Sequence, residues 1–171
     1  MNTNDFLQLS KRNIFHTFIK CKDESDSKYI LNYAPSIIVE FNDDELDIKD
    51  FNTRKSLLKI KYTEMVSISL SVCSRLMAMR FVPTKMYDIE YIIKTDSNEF
   101  HFECKNPLIW KEILKILNNH HVSIIDPLFL VKCIENCDQG DGFYDFCQKN
   151  IASWKEKYNV LDPKVGDLIR K

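Results

Sequence analysis

The chain has 171 residues, 44% of them hydrophobic and 29% charged, which suits a globular protein with one core and an appendage. Its 24 lysines and arginines meet 25 acids for a formal net charge of −1, so no global field advertises nucleic acid or an acidic membrane as partner. All three glycines (Gly140, Gly142, Gly166) lie in the last fifth of the chain, and this excludes a dinucleotide fingerprint, a P-loop or a nucleophile elbow from the first 139 residues.

Other exclusions follow from local composition. Asp5, Lys11 and Arg12 precede any long apolar run, so a secretory signal is not expected. No stretch approaches the roughly 18 apolar residues of a membrane-spanning helix. Six scattered cysteines, the first three inside apolar strand patterns, fit reduced thiols, and the expected compartment is the cytoplasm. Abundant isoleucine, lysine and asparagine, with alanine only at Ala34, Ala78 and Ala152, resemble the usage of an AT-rich genome such as that of a low-GC bacterium or a phage.

In chain order, Phe6 and Leu9 suggest a short helix, and NIFHTFIKCK (13–22) alternates as a strand. KDESDS (22–27) reads as a charged loop, and KYILNYA (28–34) as a further strand stopped by Pro35. SIIVEF sets Ile37, Val39 and Phe41 on one face, and NDDE is a turn built without glycine. ELDIKDF turns Leu46 and Ile48 inward; SLLKIKY turns Leu58, Ile60 and Tyr62 inward. MVSISLSV alternates Val66, Ile68, Leu70 and Val72 with serines, and after a loop MYDIEYIIK sets Tyr87, Ile89, Tyr91 and Ile93 against Asp88 and Glu90. EFHFEC then brings back Phe100, Phe102 and Cys104. This succession predicts an antiparallel meander curled over a core. Residues 40–50 carry six acids and one lysine, and residues 52–62 carry four bases and no acid, which favours pairing of the two segments.

The period then changes. Asn106 reads as an N-cap, with Pro107 at the first helical position of a closing helix over about 106–119. Its face carries Ile109, Ile113, Ile116 and Leu117, flanked by Trp110 and Leu114. Beyond Asp126-Pro127 two stripes follow at helical spacing, Leu130-Cys133-Ile134-Cys137 and Phe143-Cys147-Ile151-Trp154-Tyr158. They predict a helical hairpin over 126–158 around DQGDG. The expected division is a β domain over 1–125 and a helical extension over 126–171.

Strands of this number and order, closed by one helix, resemble the pleckstrin-homology-like fold over about residues 14–125. KIKYTEMVSISL resembles the mid-domain basic strand and alternating strand of its bacterial members, and NEFHFECKNPLIWKEILKIL resembles their last strand and closing helix. The resemblance implies an α+β protein, a partly open barrel with Trp110 as its plug. The family's familiar ligand is a phosphoinositide held by bases of the first hairpin; here Lys20, Lys22 and Lys28 are mixed with Asp23, Glu24 and Asp26. The implied use is therefore as a scaffold for protein contacts.

Candidate chemistry is sparse. No HExxH, GxSxG or close apolar carboxylate pair is present, so no catalytic residue, cofactor or metal is expected. His120 and His121 are adjacent and point apart, and His101 with Glu103 falls short of a ligand set. In CIENCDQGDGFYDFC (133–147) the thiols are spaced by helical turns; core packing is the expected role, with a metal knuckle and a redox pair as the alternatives. The surface candidate is SRLMAMRFVPTKM (74–86), which carries three of the five methionines and no acid. Arg75, Met77, Met79, Arg80, Phe81, Lys85 and Met86 are the expected partner-binding residues. The same stretch also reads as a strand with buried methionines. The function expected is a non-enzymatic, intracellular protein-binding module, of adaptor, immunity or inhibitor type. The alternative is a peripheral membrane or phosphate-headgroup binder using Arg75, Arg80 and Lys85.

Overall fold

The structure is a computed structural model that describes residues 1–11, 13–21, 36–79, 82–104, 106–137 and 140–160. The expected charged loop over 22–27, the strand over 28–34 and the tail beyond 160 lie outside the described residues.

Helix α1 (Thr3–Ser10) opens on a capping box in which the Asn2 side chain accepts from the Asp5 N–H at 2.9 Å. Its inward residue is Phe6, fully buried, whose ring lies 5.3 Å from that of Phe15 and stacks on Phe100 at 5.7 Å. Eight strands follow, with four helices in all among the described residues. They are β1 (Phe15–Cys21), β2 (Ile37–Phe41), β3 (Glu45–Asp50), β4 (Ser56–Lys61), β5 (Met65–Met79), β6 (Val82–Thr95), β7 (Glu99–Cys104) and β8 (Ile124–Ile125). Their lateral order is β4-β3-β2-β1-β7-β6-β5-β8.

The single antiparallel meander expected from residue 36 onwards is corrected to two, β2-β3-β4 and β5-β6-β7, because among the described residues β4 and β5 do not pair and β4 is an edge. β1, which precedes those segments, pairs differently. Thr17–Cys21 pair with β2 and Phe15–His16 with β7, both in parallel. β1 thus belongs to two mixed sheets and joins them. Among the described residues the ladder does not close into a barrel, because β4 and β8 are its edges.

The charge pattern of β3 and β4 is realised in their register. Asp47 lies opposite Lys59 and Glu45 opposite Lys61, and Lys59 forms an ion pair with Glu45. Across β2, Lys20 reaches Glu40 at 3.1 Å, and Lys49 holds Glu40 as well as Asp47 at 3.4 Å. Burial opposes ionisation of Glu40, but the two lysines outweigh it and keep its carboxyl below the usual range. One inward reading fails: Val66 is 47% exposed. The β5–β6 register shifts between Met65 and Ser67, and that irregularity turns Val66 out of the core.

Helix α2 (Trp110–Asn119) starts four residues later than its sequence signal at Asn106. Pro107–Ile109 form tight turns instead, with the Trp110 N–H on the Pro107 carbonyl at 3.2 Å and the Asn106 side chain accepting from Leu108 at 3.1 Å. Trp110, Ile113, Leu114 and Leu117 are buried. The Trp110 indole meets Phe41 of one sheet edge-on at 6.4 Å and Tyr91 of the other at 5.0 Å.

The helical extension is present as α3 (Leu130–Asn136) and α4 (Gly140–Tyr158). Asp126 starts α3, its two carboxylate oxygens accepting from Leu130 at 2.9 Å and Val131 at 2.8 Å. Leu130, Ile134, Phe143, Ile151 and Trp154 belong to the same buried cluster as the strand residues, so one core runs across residue 125.

Two outcomes test this architecture. Trp110→Ala leaves a cavity between the sheets and lowers unfolding free energy by about 3–5 kcal/mol in urea titration. In the β3–β4 turn the Asp50 carboxylate accepts from the Thr53 N–H at 2.8 Å and hydroxyl at 2.9 Å, and the backbone bond above all holds its pKa down at about 2. A depressed carboxyl stabilises the fold above its unfolded value and loses that contribution as pH falls towards the folded one. Asp50→Asn is therefore expected to lower the thermal midpoint at neutral pH and to flatten its decline between about pH 4 and 2.

Candidate functional site

The surface stretch of the sequence is a continuation of strands rather than a loop. β5 and β6 are 15 and 14 residues long and remain paired out to Met79 and Val82. Among the described residues β7 pairs with β6 only from Ile89 to Lys94, and β8 with β5 only at Ile68 and Ser69. The outer half of the hairpin is thus an arm that runs past the end of β7. Valine, threonine, tyrosine and methionine along it suit extended backbone, and Pro83 sits at the second residue of β6, near its end.

Alternation assigns two faces to the arm. Ser74 and Tyr87, which are paired, continue the core face. Cys73 with Asp88, and Arg75 with Met86, occupy the other. The core face is braced by α4: the Tyr87 hydroxyl donates to the Gln148 side chain at 2.6 Å, and the Tyr87 and Tyr144 rings are 5.3 Å apart. The second face, which alternation assigns to solvent, is buried at the arm's root. Cys73 is 0% exposed, Arg75 2%, Asp88 3% and Glu103 3%.

Arg75 organises that root. Its Nε donates to Asp88 at 2.7 Å and its terminal nitrogen to Glu103, so one guanidinium ties β5, β6 and β7 together where β7 stops. The fork geometry suits arginine and not lysine. Glu90 lies directly opposite Glu103 in the β6–β7 register; without a cation between the strands, two like charges at that spacing would push them apart. The Cys73 thiol completes the group by donating to the other carboxylate oxygen of Glu103 at 3.7 Å. Cys73, Glu90 and Glu103 bring one donor atom each within 4.8 Å of one another, close enough to consider a cation. Such an ion would compete for Glu103 with the guanidinium already bound to it, so the arginine holds the place that a cation would take.

The expected partner-binding residues therefore separate. Arg75 is interior and belongs to the arm's root, which corrects its assignment to the contact surface and removes one of three cations from the headgroup reading. Lys85 is half-buried, its ammonium 5.4 Å from the Tyr87 ring centroid, and Met86 is 37% exposed. Met77 and Met79 stand on the last residues of β5, while Arg80 and Phe81 lie outside the described residues.

The histidines also find places. His120 caps α2, stacks on Tyr62 with ring centroids 4.4 Å apart and bonds the Asp43 carbonyl, while His101 contacts Glu99 at 2.7 Å. Sequence reasoning missed the buried cluster. Its signal was present: one arginine, alone in sign, at an alternating position beside three acids on neighbouring strands.

No family model matches the chain, and neither does any curated protein or any solved structure. No helix among the described residues is long and apolar enough to cross a membrane.

Removing one member of a buried ion network strands the others uncompensated. Arg75→Ala is expected to cost about 3–5 kcal/mol of unfolding free energy, whereas replacing Arg75, Asp88 and Glu103 together by apolar residues of matched volume costs much less. Denaturant titration of both variants separates the outcomes.

Proposed function

We propose that the protein is a non-enzymatic protein-binding module, of adaptor or inhibitor type, which contacts its partner through the far half of the β5–β6 arm. The observation that carries this reading is the arm's construction. The β5–β6 ladder outruns β7, yet its root is locked by Arg75 between Asp88 and Glu103 and braced from α4 by Tyr144 and Gln148. An isolated two-stranded ribbon is marginal in water; rigid anchoring at its base keeps the far end presented without ordering cost on binding. In the sequence Met77 and Met79 belong to the end of β5 and Phe81 follows them, and Met86 of β6 is 37% exposed; such side chains suit an apolar partner surface. Placement of the module inside the cell, and a pleckstrin-homology-like ancestry for its curled sheets and closing helix, belong to the same proposal. The helix that plugs the space between the sheets with Trp110 supports that ancestry.

The test uses the full chain as bait, with Met79→Glu/Phe81→Glu as its arm variant. The expected result is a stoichiometric protein captured by the wild type and lost by the variant at an unchanged thermal midpoint. Retention of that protein by the variant overturns the arm as contact surface. Salt-sensitive binding to anionic vesicles with no captured protein would put the headgroup reading in its place.

A further inference from the structure

Among the described residues, two thiols come together outside the arm and its root. Cys133 and Cys137 have sulfur atoms 3.5 Å apart. In an unbroken helix, residues four apart hold their Cβ atoms about 5–6 Å from each other, too far for a disulfide, which needs roughly 3.5–4.5 Å. Here the helix ends between them. α3 stops at Asn136, and Cys137 has left it with φ −89° and ψ 120°, so its thiol can turn back over the last helical turn towards Cys133.

Two further features make the same place. A Cβ on Gly142, in the first turn of α4, would meet the Cys137 sulfur at 3.0 Å; glycine there keeps the space that the thiol occupies. The pair is also asymmetric. Cys133 is buried, and burial with the neighbouring Cys137 pushes its pKa up to about 12, whereas Cys137 is partly open to solvent. A peroxide reaches Cys137 first. Cys147 is fully buried, so a peroxide in solvent does not reach it. Among the described residues the three sulfurs of this region do not form a mutually close donor set, so the pair is suited to mutual oxidation and not to holding an ion.

We propose that Cys133 and Cys137 form a reversible thiol–disulfide site, oxidised by a hydroperoxide. The Cys137 sulfur attacks the peroxide O–O bond, which breaks; Cys137 becomes a sulfenic acid and the departing oxygen leaves as an alcohol, or as water from hydrogen peroxide. The Cys133 sulfur then attacks that sulfenic sulfur, and an S–S bond forms. The S–O bond breaks, and its oxygen leaves as water with the Cys133 proton. Two thiols lose two electrons and the peroxide gains them. A low-molecular-weight dithiol reverses the change by exchange. The product staples the end of α3 to the residue that follows it.

The experiment treats reduced native full chain with one equivalent of hydrogen peroxide, alkylates it after unfolding and maps peptides by mass spectrometry. The expected product is a loss of two hydrogens, alkylatable thiols falling from six to about four, a single Cys133–Cys137 link, and recovery of all thiols with dithiothreitol. A dimedone trap should label Cys137 in the Cys133→Ser variant, and Cys137→Ser should form no internal link. Mapping in the wild type decides the matter should either variant fold poorly. A link involving Cys147, intermolecular disulfides alone, sulfinic or sulfonic products without a link, or six unreacted thiols would each overturn the site.

Discussion

Trp110 is the group through which the two sheets become one structure. β1 joins them along a single strand, with two residues in one ladder and five in the other, a narrow connection for two twisted sheets. The indole fills the space this leaves, edge-on to Phe41 from the first sheet and to Tyr91 from the second. Both rings are fully buried, and edge-to-face packing fixes their mutual angle as well as their distance. α2 supplies only this wedge and its apolar flank. Phe6 of α1, between Phe15 and Phe100, adds to the same core, and ring contacts run from it through Phe100, Phe102 and Tyr91 to Trp110.

Arg75 plays a corresponding part in the arm, by different physics. Apolar burial is non-directional and cannot by itself set where a long hairpin stops behaving as sheet and starts behaving as a projection. A guanidinium with carboxylates from two neighbouring strands does set that point, because it demands a particular register of all three. The desolvation it requires makes this an uneconomical source of raw stability. Its yield is positional: β7 ends, and the hairpin continues on a fixed base. The same economy of means appears at the other sequence signal. A helix end between Cys133 and Cys137, and a missing Cβ at Gly142, turn two residues of an apolar stripe into neighbouring thiols.

Most elements were legible because their side chains alternate between two environments that differ strongly in water content. The strands, the amphipathic face of α2 and both helices of the extension follow from that contrast, and the pairing of β3 with β4 follows from the opposite charges of the two segments. Three readings were lost where it fails. Val66 continues a perfect alternation, yet a register shift turns it outward. Asn106 and Pro107 signal a helix start that tight turns delay to Trp110. Arg75 sits on a polar face and was assigned to solvent, although the face is covered at that level.

What the sequence determined by itself is therefore periodic: which segments are strands, which are helices, which side of each is apolar, and that no glycine-built phosphate or nucleophile site occupies the first 139 residues. The tertiary structure alone decided the pairings that join segments far apart in the chain. β1 lies parallel between β2 and β7, Arg75 lies between Asp88 and Glu103, and Cys137 turns back on Cys133. Periodicity records how wet each side of a segment is. Such pairings depend instead on which buried groups meet, and a residue's own alternation does not say which strand will lie beside it.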